Sequence, residues 1–154
     1  MPRRSKLLAL AAAAALAACS DDTSTNPVSQ QPAPAFSVAA EKTVAPSIVQ
    51  RVRLSSNQPA RGDTLVIRSV LKNTGATPAQ VTHTVCGFDY APNDVLQSPF
   101  VMCMAYSATS TLAPGDSISH EDRRVVAGRP GQHTIRLAHL VQPKSEVAIA
   151  LTVR

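Results

Sequence analysis

The chain has 154 residues and a formal charge of +5, from 15 Lys and Arg against 10 Asp and Glu. Three of the cations and none of the acids fall in the first eighteen residues, so the remainder holds twelve cations against ten acids. That near balance, five aromatic rings in all and the lack of a basic run exclude nucleic acid as the expected partner.

The N-terminus begins with a positive segment, Arg3, Arg4 and Lys6, followed by an alanine-rich apolar run from Leu7 to Ala17. The run is shorter than the roughly 18 to 20 residues that a helix needs to cross hydrocarbon, which predicts a cleaved signal peptide over 1–18 rather than a membrane span. Leu16-Ala17-Ala18-Cys19 resembles the lipobox of bacterial lipoproteins at all four positions. The resemblance implies a thioether-linked diacylglycerol on Cys19 and an acylated amine with palmitate-type chains. At about 0.8 kcal/mol per buried CH₂, two or three chains anchor a protein stably where one does not. Cys19 is therefore the expected lipidation site, membrane lipid its partner and the cell envelope its location. Ser20 resembles a signal for the outer membrane over the inner.

From Cys19 to about residue 47 the chain is rich in Ser, Thr, Asn, Gln, Pro and Ala and has no apolar period, which predicts a disordered tether. Phe36-Ser37-Val38 is its one apolar interruption, readable as an incidental pair, a recognition segment or an extra edge strand. With Cys19 assigned to lipid, Cys86 and Cys103 remain as an even pair in an oxidising compartment, which predicts a disulfide.

Residues 48–154 suit one domain. Leu65, Ile67 and Leu71 share parity, as do Ile135, Leu137 and Val141, while Val147, Ile149, Leu151 and Val153 alternate with Glu146, Ala148, Ala150 and Thr152. Turn chemistry separates these runs at Asn73-Thr74-Gly75, Pro114-Gly115 and Pro130-Gly131. About seven strands are expected, near 48–54, 63–72, 79–86, 100–106, 116–126, 132–141 and 146–153. That number of short strands predicts an all-β, antiparallel, immunoglobulin-like β-sandwich, with a small barrel as the alternative.

The order Leu71-Lys72-Asn73-Thr74-Gly75, Leu112-Ala113-Pro114-Gly115-Asp116 and Arg129-Pro130-Gly131-Gln132-His133 resembles the BsuPI-like proteinase inhibitor family over residues 48 to 154. The resemblance implies an immunoglobulin-like surface module. His133 stands where that family more often has an aromatic residue, and no inhibitory residue is carried across.

No G-x-S-x-G elbow occurs, and no catalytic residue is assigned, so a non-enzymatic protein without a cofactor is expected. His83, His120, His133 and His139, with Met102-Cys103-Met104, supply ligand types that suit copper. Strand alternation separates Cys103 from Met102 and Met104, so the methionines are expected in the core and no metal is assigned; His83, His139, Met102 and Met104 are the ligands if one binds. His83 and His139 share parity with apolar neighbours and are expected to point inward.

Arg51 and Arg53 with Arg123-Arg124 suggest a basic stripe for acidic glycans or phosphates, although Glu121-Asp122 offers neutralising partners and a solvated sheet face is the simpler expectation. The stretch between Cys86 and Cys103 carries Phe88, Tyr90 and Phe100 and is the candidate partner surface. Together these features predict a lipid-anchored envelope protein whose sandwich binds a protein or glycan partner. Envelope proteinase inhibition and periplasmic copper handling are the alternatives.

Overall fold

A computed structural model describes residues 35–92, 94–97 and 106–154. The chain divides into a unit Met1–Pro32, outside the described residues, and a unit Ala33–Arg154. The second unit is all-β. Its strands are β1 (Val38–Ala45), β2 (Ile48–Leu54), β3 (Thr64–Asn73), β4 (Ala79–Thr84), β5 (Asp89–Ala91), β6 (Leu96–Gln97), β7 (Ser107–Leu112), β8 (Ser117–Val126), β9 (Gly131–Gln142) and β10 (Ser145–Val153). They form two antiparallel sheets, β1-β2-β3-β8-β6 and β10-β9-β4-β7, with β5 added to β9. The architecture is a β-sandwich, as the period-2 runs predict.

The strand expected at 48–54 is β2 with those bounds, and the strands over 63–72, 116–126, 132–141 and 146–153 agree with β3, β8, β9 and β10 within a residue at each end. Within the stretch expected as a tether up to residue 47, Val38–Ala45 instead forms β1 against β2. Its polar Glu41 and Thr43 hide the pattern, and the register shift between Thr43 and Ala45 adds Val44 as an extra residue that turns into the core. The strand expected over 100–106 lies almost wholly outside the described residues. Beyond it, β7 is a Ser/Thr-rich strand that pairs only with β4 among the described residues, with little apolar alternation to announce it.

Alternation sets which side chains fill the space between the sheets. Ile48, Val52, Leu54, Leu65, Ile67 and Leu71 from one sheet meet Ile135, Leu137, Val147, Ile149, Leu151 and Val153 from the other, all buried. Complete burial stabilises each such side chain by about 1.5–3 kcal/mol relative to exposure. This layer fixes the outward parity of β2, β3 and β8, and so decides which polar side chains share the outer face of the first sheet.

Asn73 closes one end of that sheet. Its side chain is fully buried, donates from Nδ2 to the carbonyls of Thr77 and Leu112 at 2.8 and 3.0 Å, and accepts from the Gly75 N–H at 2.9 Å. Its backbone also joins the Pro114-Gly115 turn, bonding Asp116 O and Gly115 N–H at 2.9 Å each. One asparagine thus pairs backbone groups of two turns at once.

Candidate functional site

The outer face of the first sheet follows from register. Glu41 lies opposite Arg51, Arg51 opposite Val70 and Val70 opposite Ser119. In the next row Arg53 lies opposite Arg68, which lies opposite Glu121; in the row before, Val49 lies opposite Lys72, which lies opposite Ser117. Val52, Ser69 and Leu71 face the core, so the side chains between them in sequence must face out.

This face holds a shallow groove of about 490 Å³ with Val49 and Val70 at its floor and Thr74, Ser117 and Ser119 supplying hydroxyls. Arg51 Nε donates to Glu41 Oε2 at 2.6 Å, and Arg68 donates to Glu121 Oε2 at 2.8 Å. The Arg68 guanidinium also stacks 4.7 Å from the centre of the Phe36 ring. Arg123 reaches Glu121 only at 3.8 Å. Neither Arg53 nor Lys72 has an ion pair among the described residues. Five cations, Arg51, Arg53, Arg68, Lys72 and Arg123, therefore stand over two carboxylates, Glu41 and Glu121.

The stripe suggested by the sequence changes membership. Arg123 faces out, but Arg124 is 8% exposed and points inward, as adjacent residues on a strand must diverge. Its Nε donates to Asp122 Oδ2 at 2.8 Å, and its guanidinium lies 4.6 Å from the centre of the Tyr90 ring. Arg68 and Lys72 take its place on the face. Their shared parity is visible in the sequence, but their position beside Arg51 and Arg53 needs the β2–β3 register.

The expected partner surface between Cys86 and Cys103 also changes. Phe88 is 5% exposed and packs against His120 and His139 with ring centroids 5.0 and 5.2 Å apart, so it belongs to the core. Tyr90 is half-buried and donates its hydroxyl to Asp122 at 3.1 Å. Burial, followed by the Asp122 charge, pushes that hydroxyl far above the usual tyrosine range. Tyr106 donates to Asp89 at 2.5 Å, and burial followed by this bond pushes it up to about 12. Phe100 lies outside the described residues.

His83 and His139 are buried, as their parity predicts, and His120 turns toward them from the opposite sheet. The His139 ring centroid lies 5.8 Å from that of His83 and 6.3 Å from that of His120. The nitrogens serve the fold. His83 Nδ1 and Nε2 lie 3.2 and 3.1 Å from Thr84 O and Ser110 Oγ, and His120 Nε2 accepts from the Gly87 N–H at 3.2 Å. Among the described residues no group of three or more His, Cys, Asp or Glu is arranged to hold a metal ion. His133 stands apart, its Nε2 2.7 Å from Arg129 O. Met102, Met104, Cys103 and Cys19 lie outside the described residues, while Cys86 is disulfide-bonded.

No family model matches the chain, and no curated protein matches it. Among solved structures, a β-glucosidase from Erythrobacter marinus is 14% identical with a TM-score of 0.37, covering 67% of this chain and 15% of its own. A β-glucosidase from Listeria innocua in complex with glucose is 13% identical with a TM-score of 0.38, covering 69% of this chain and 16% of its own. The chain thus spans about one sixth of the length of either enzyme, and likeness at this level assigns it no activity.

Proposed function

We propose that this chain is a non-enzymatic, lipid-anchored protein of the bacterial cell envelope that binds a partner across the outer face of its first sheet. The observation that carries the reading is the surplus of cations there: among the described residues Arg53 and Lys72 lack ion pairs, on a face that also carries Arg51, Arg68 and Arg123. Exposed sheet charges can serve solubility alone, but solubility does not require them to gather around one groove. The lipobox-like Leu16-Ala17-Ala18-Cys19 supports the anchor, with the outer membrane as the favoured site. A Cys86–Cys103 disulfide fits that oxidising compartment and the bonded state of Cys86. The two antiparallel sheets suit the immunoglobulin-like module that the turn motifs resemble.

Two measurements in intact cells test this reading. Labelling with a palmitate precursor is expected to mark the wild-type chain and not Cys19→Ala, which should also leave the membrane fraction. A photocrosslinker at position 53 is expected to capture an envelope component that one at position 148, on β10, does not. Equal labelling of both chains overturns the anchor, and equal capture from both positions overturns the binding face.

A further inference from the structure

Arg53 lies directly opposite Arg68, an arrangement of like charges that destabilises a sheet. Arg68 offsets this by bonding Glu121 and stacking on Phe36, whereas Arg53 has no such partner among the described residues. Lys72 stands two rows away between Val49 and Ser117, also without an ion pair. At about 3.3 Å per residue, the two rows separate the backbones of these cations by about 13 Å along the strands. Between them lie Arg51, the apolar floor and the hydroxyls of Ser117 and Ser119.

We infer that this groove binds an acidic polysaccharide, with spaced carboxylates pairing with Arg53 and Lys72 and sugar hydroxyls meeting Ser117, Ser119, Glu41 and Glu121. The inference rests on the binding face proposed above and names its ligand. Planar guanidinium forks match carboxylates. The two acids distinguish this ligand from denser polyanions: saccharide hydroxyls can donate to Glu41 and Glu121, whereas a continuous layer of lipid phosphates repels them. Among the described residues no aromatic side chain lines the groove, and Phe36 at its edge is covered by Arg68, which disfavours stacking of single-stranded nucleic acid. The separation of the unpaired cations also suits a ligand that carries its charges at intervals.

The test uses the full-length chain in neutral detergent, titrated calorimetrically with polygalacturonate, with dextran as the uncharged control. Polygalacturonate is expected to bind and dextran not to. Affinity should fall by about tenfold between about 50 and about 200 mM salt, as multiple charge contacts require. Arg53→Gln with Lys72→Gln should weaken binding by about tenfold without lowering the unfolding temperature, since neither exposed side chain has an ion-pair partner among the described residues. No binding at low salt, or equal binding by the double variant, overturns the inference. So does protection of Lys72 from an amine-reactive reagent by mixed micelles containing phosphatidylglycerol but not by polygalacturonate. Specific capture from position 53 in cells without polygalacturonate binding would sink this ligand while leaving the proposed binding face intact.

Discussion

Ser69 Oγ on β3 lies 3.0 Å from His139 Nδ1 on β9, a hydrogen bond that crosses the core from one sheet to the other. Gln50 Nε2 donates to the same oxygen at 3.0 Å, so Ser69 Oγ joins polar side chains of β2, β3 and β9 inside the core. His139 Nε2 has no hydrogen-bond partner among the described residues, and its ring contacts those of Phe88, His83 and His120. The link joins the two sheets and leaves the imidazole buried among rings, where a second proton would put an unsolvated charge.

This geometry makes stability depend on acid. Burial first, then His83 and His120, lowers the His139 pKa from its ordinary 6.5 to about 3. Because the folded value is depressed, the unfolded chain binds the proton first. Stability is therefore retained above pH 6.5 and lost as pH falls from 6.5 toward 3, at up to about 1.4 kcal/mol per pH unit. Urea unfolding across that window should show the loss, and His139→Leu should flatten it while lowering stability at pH 7. Equal pH slopes in the two proteins would show that His139 is not the responsible group.

Arg124 and Asp122 form the most buried ion pair among the described residues, with 9% and 14% of their side chains exposed. A buried pair is costly to break because one charge stays behind without a counterion. Asp122→Ala is expected to destabilise by about 3–5 kcal/mol by leaving Arg124 unpaired. Tyr90→Phe removes only the neutral donor to Asp122 and should cost about 1 kcal/mol. Chemical denaturation of both variants checks the ranking, and similar losses would mean that packing, not charge, dominates here.

The parts legible in the sequence are those governed by nearest neighbours along a strand. Val147, Ile149, Leu151 and Val153 declare β10, and the parity of His83 and His139 already turns them inward. What escapes notice depends on partners far away in the chain. Arg123 and Arg124 look alike as a pair, yet one faces solvent and the other Tyr90. Arg68 and Lys72 become part of a cationic groove only through pairing with β2. Phe88 reads as a loop aromatic because its neighbours in the core, His120 and His139, lie 32 and 51 residues later.

The turn at Ser47 and the turn at Gly75 touch, and their coupling can be measured. Ser47 has φ of 97°, a left-handed conformation that costs a non-glycine residue about 1 kcal/mol or more. A β-carbon added at Gly75 would lie 2.7 Å from the Ser47 β-carbon and 3.2 Å from Asn73 Oδ1. Gly75→Ala should therefore destabilise by about 1–3 kcal/mol through overpacking. Ser47→Gly removes the colliding carbon and relieves the positive φ. Its backbone carbonyl still accepts from the Thr74 N–H at 2.8 Å, so it should raise stability by up to about 1 kcal/mol. In that background Gly75→Ala loses its tightest contact, and its cost should fall by roughly half, with only the Asn73 contact left to accommodate. A double-mutant cycle on unfolding free energy measures the difference, and strict additivity would mean that the two turns relax independently.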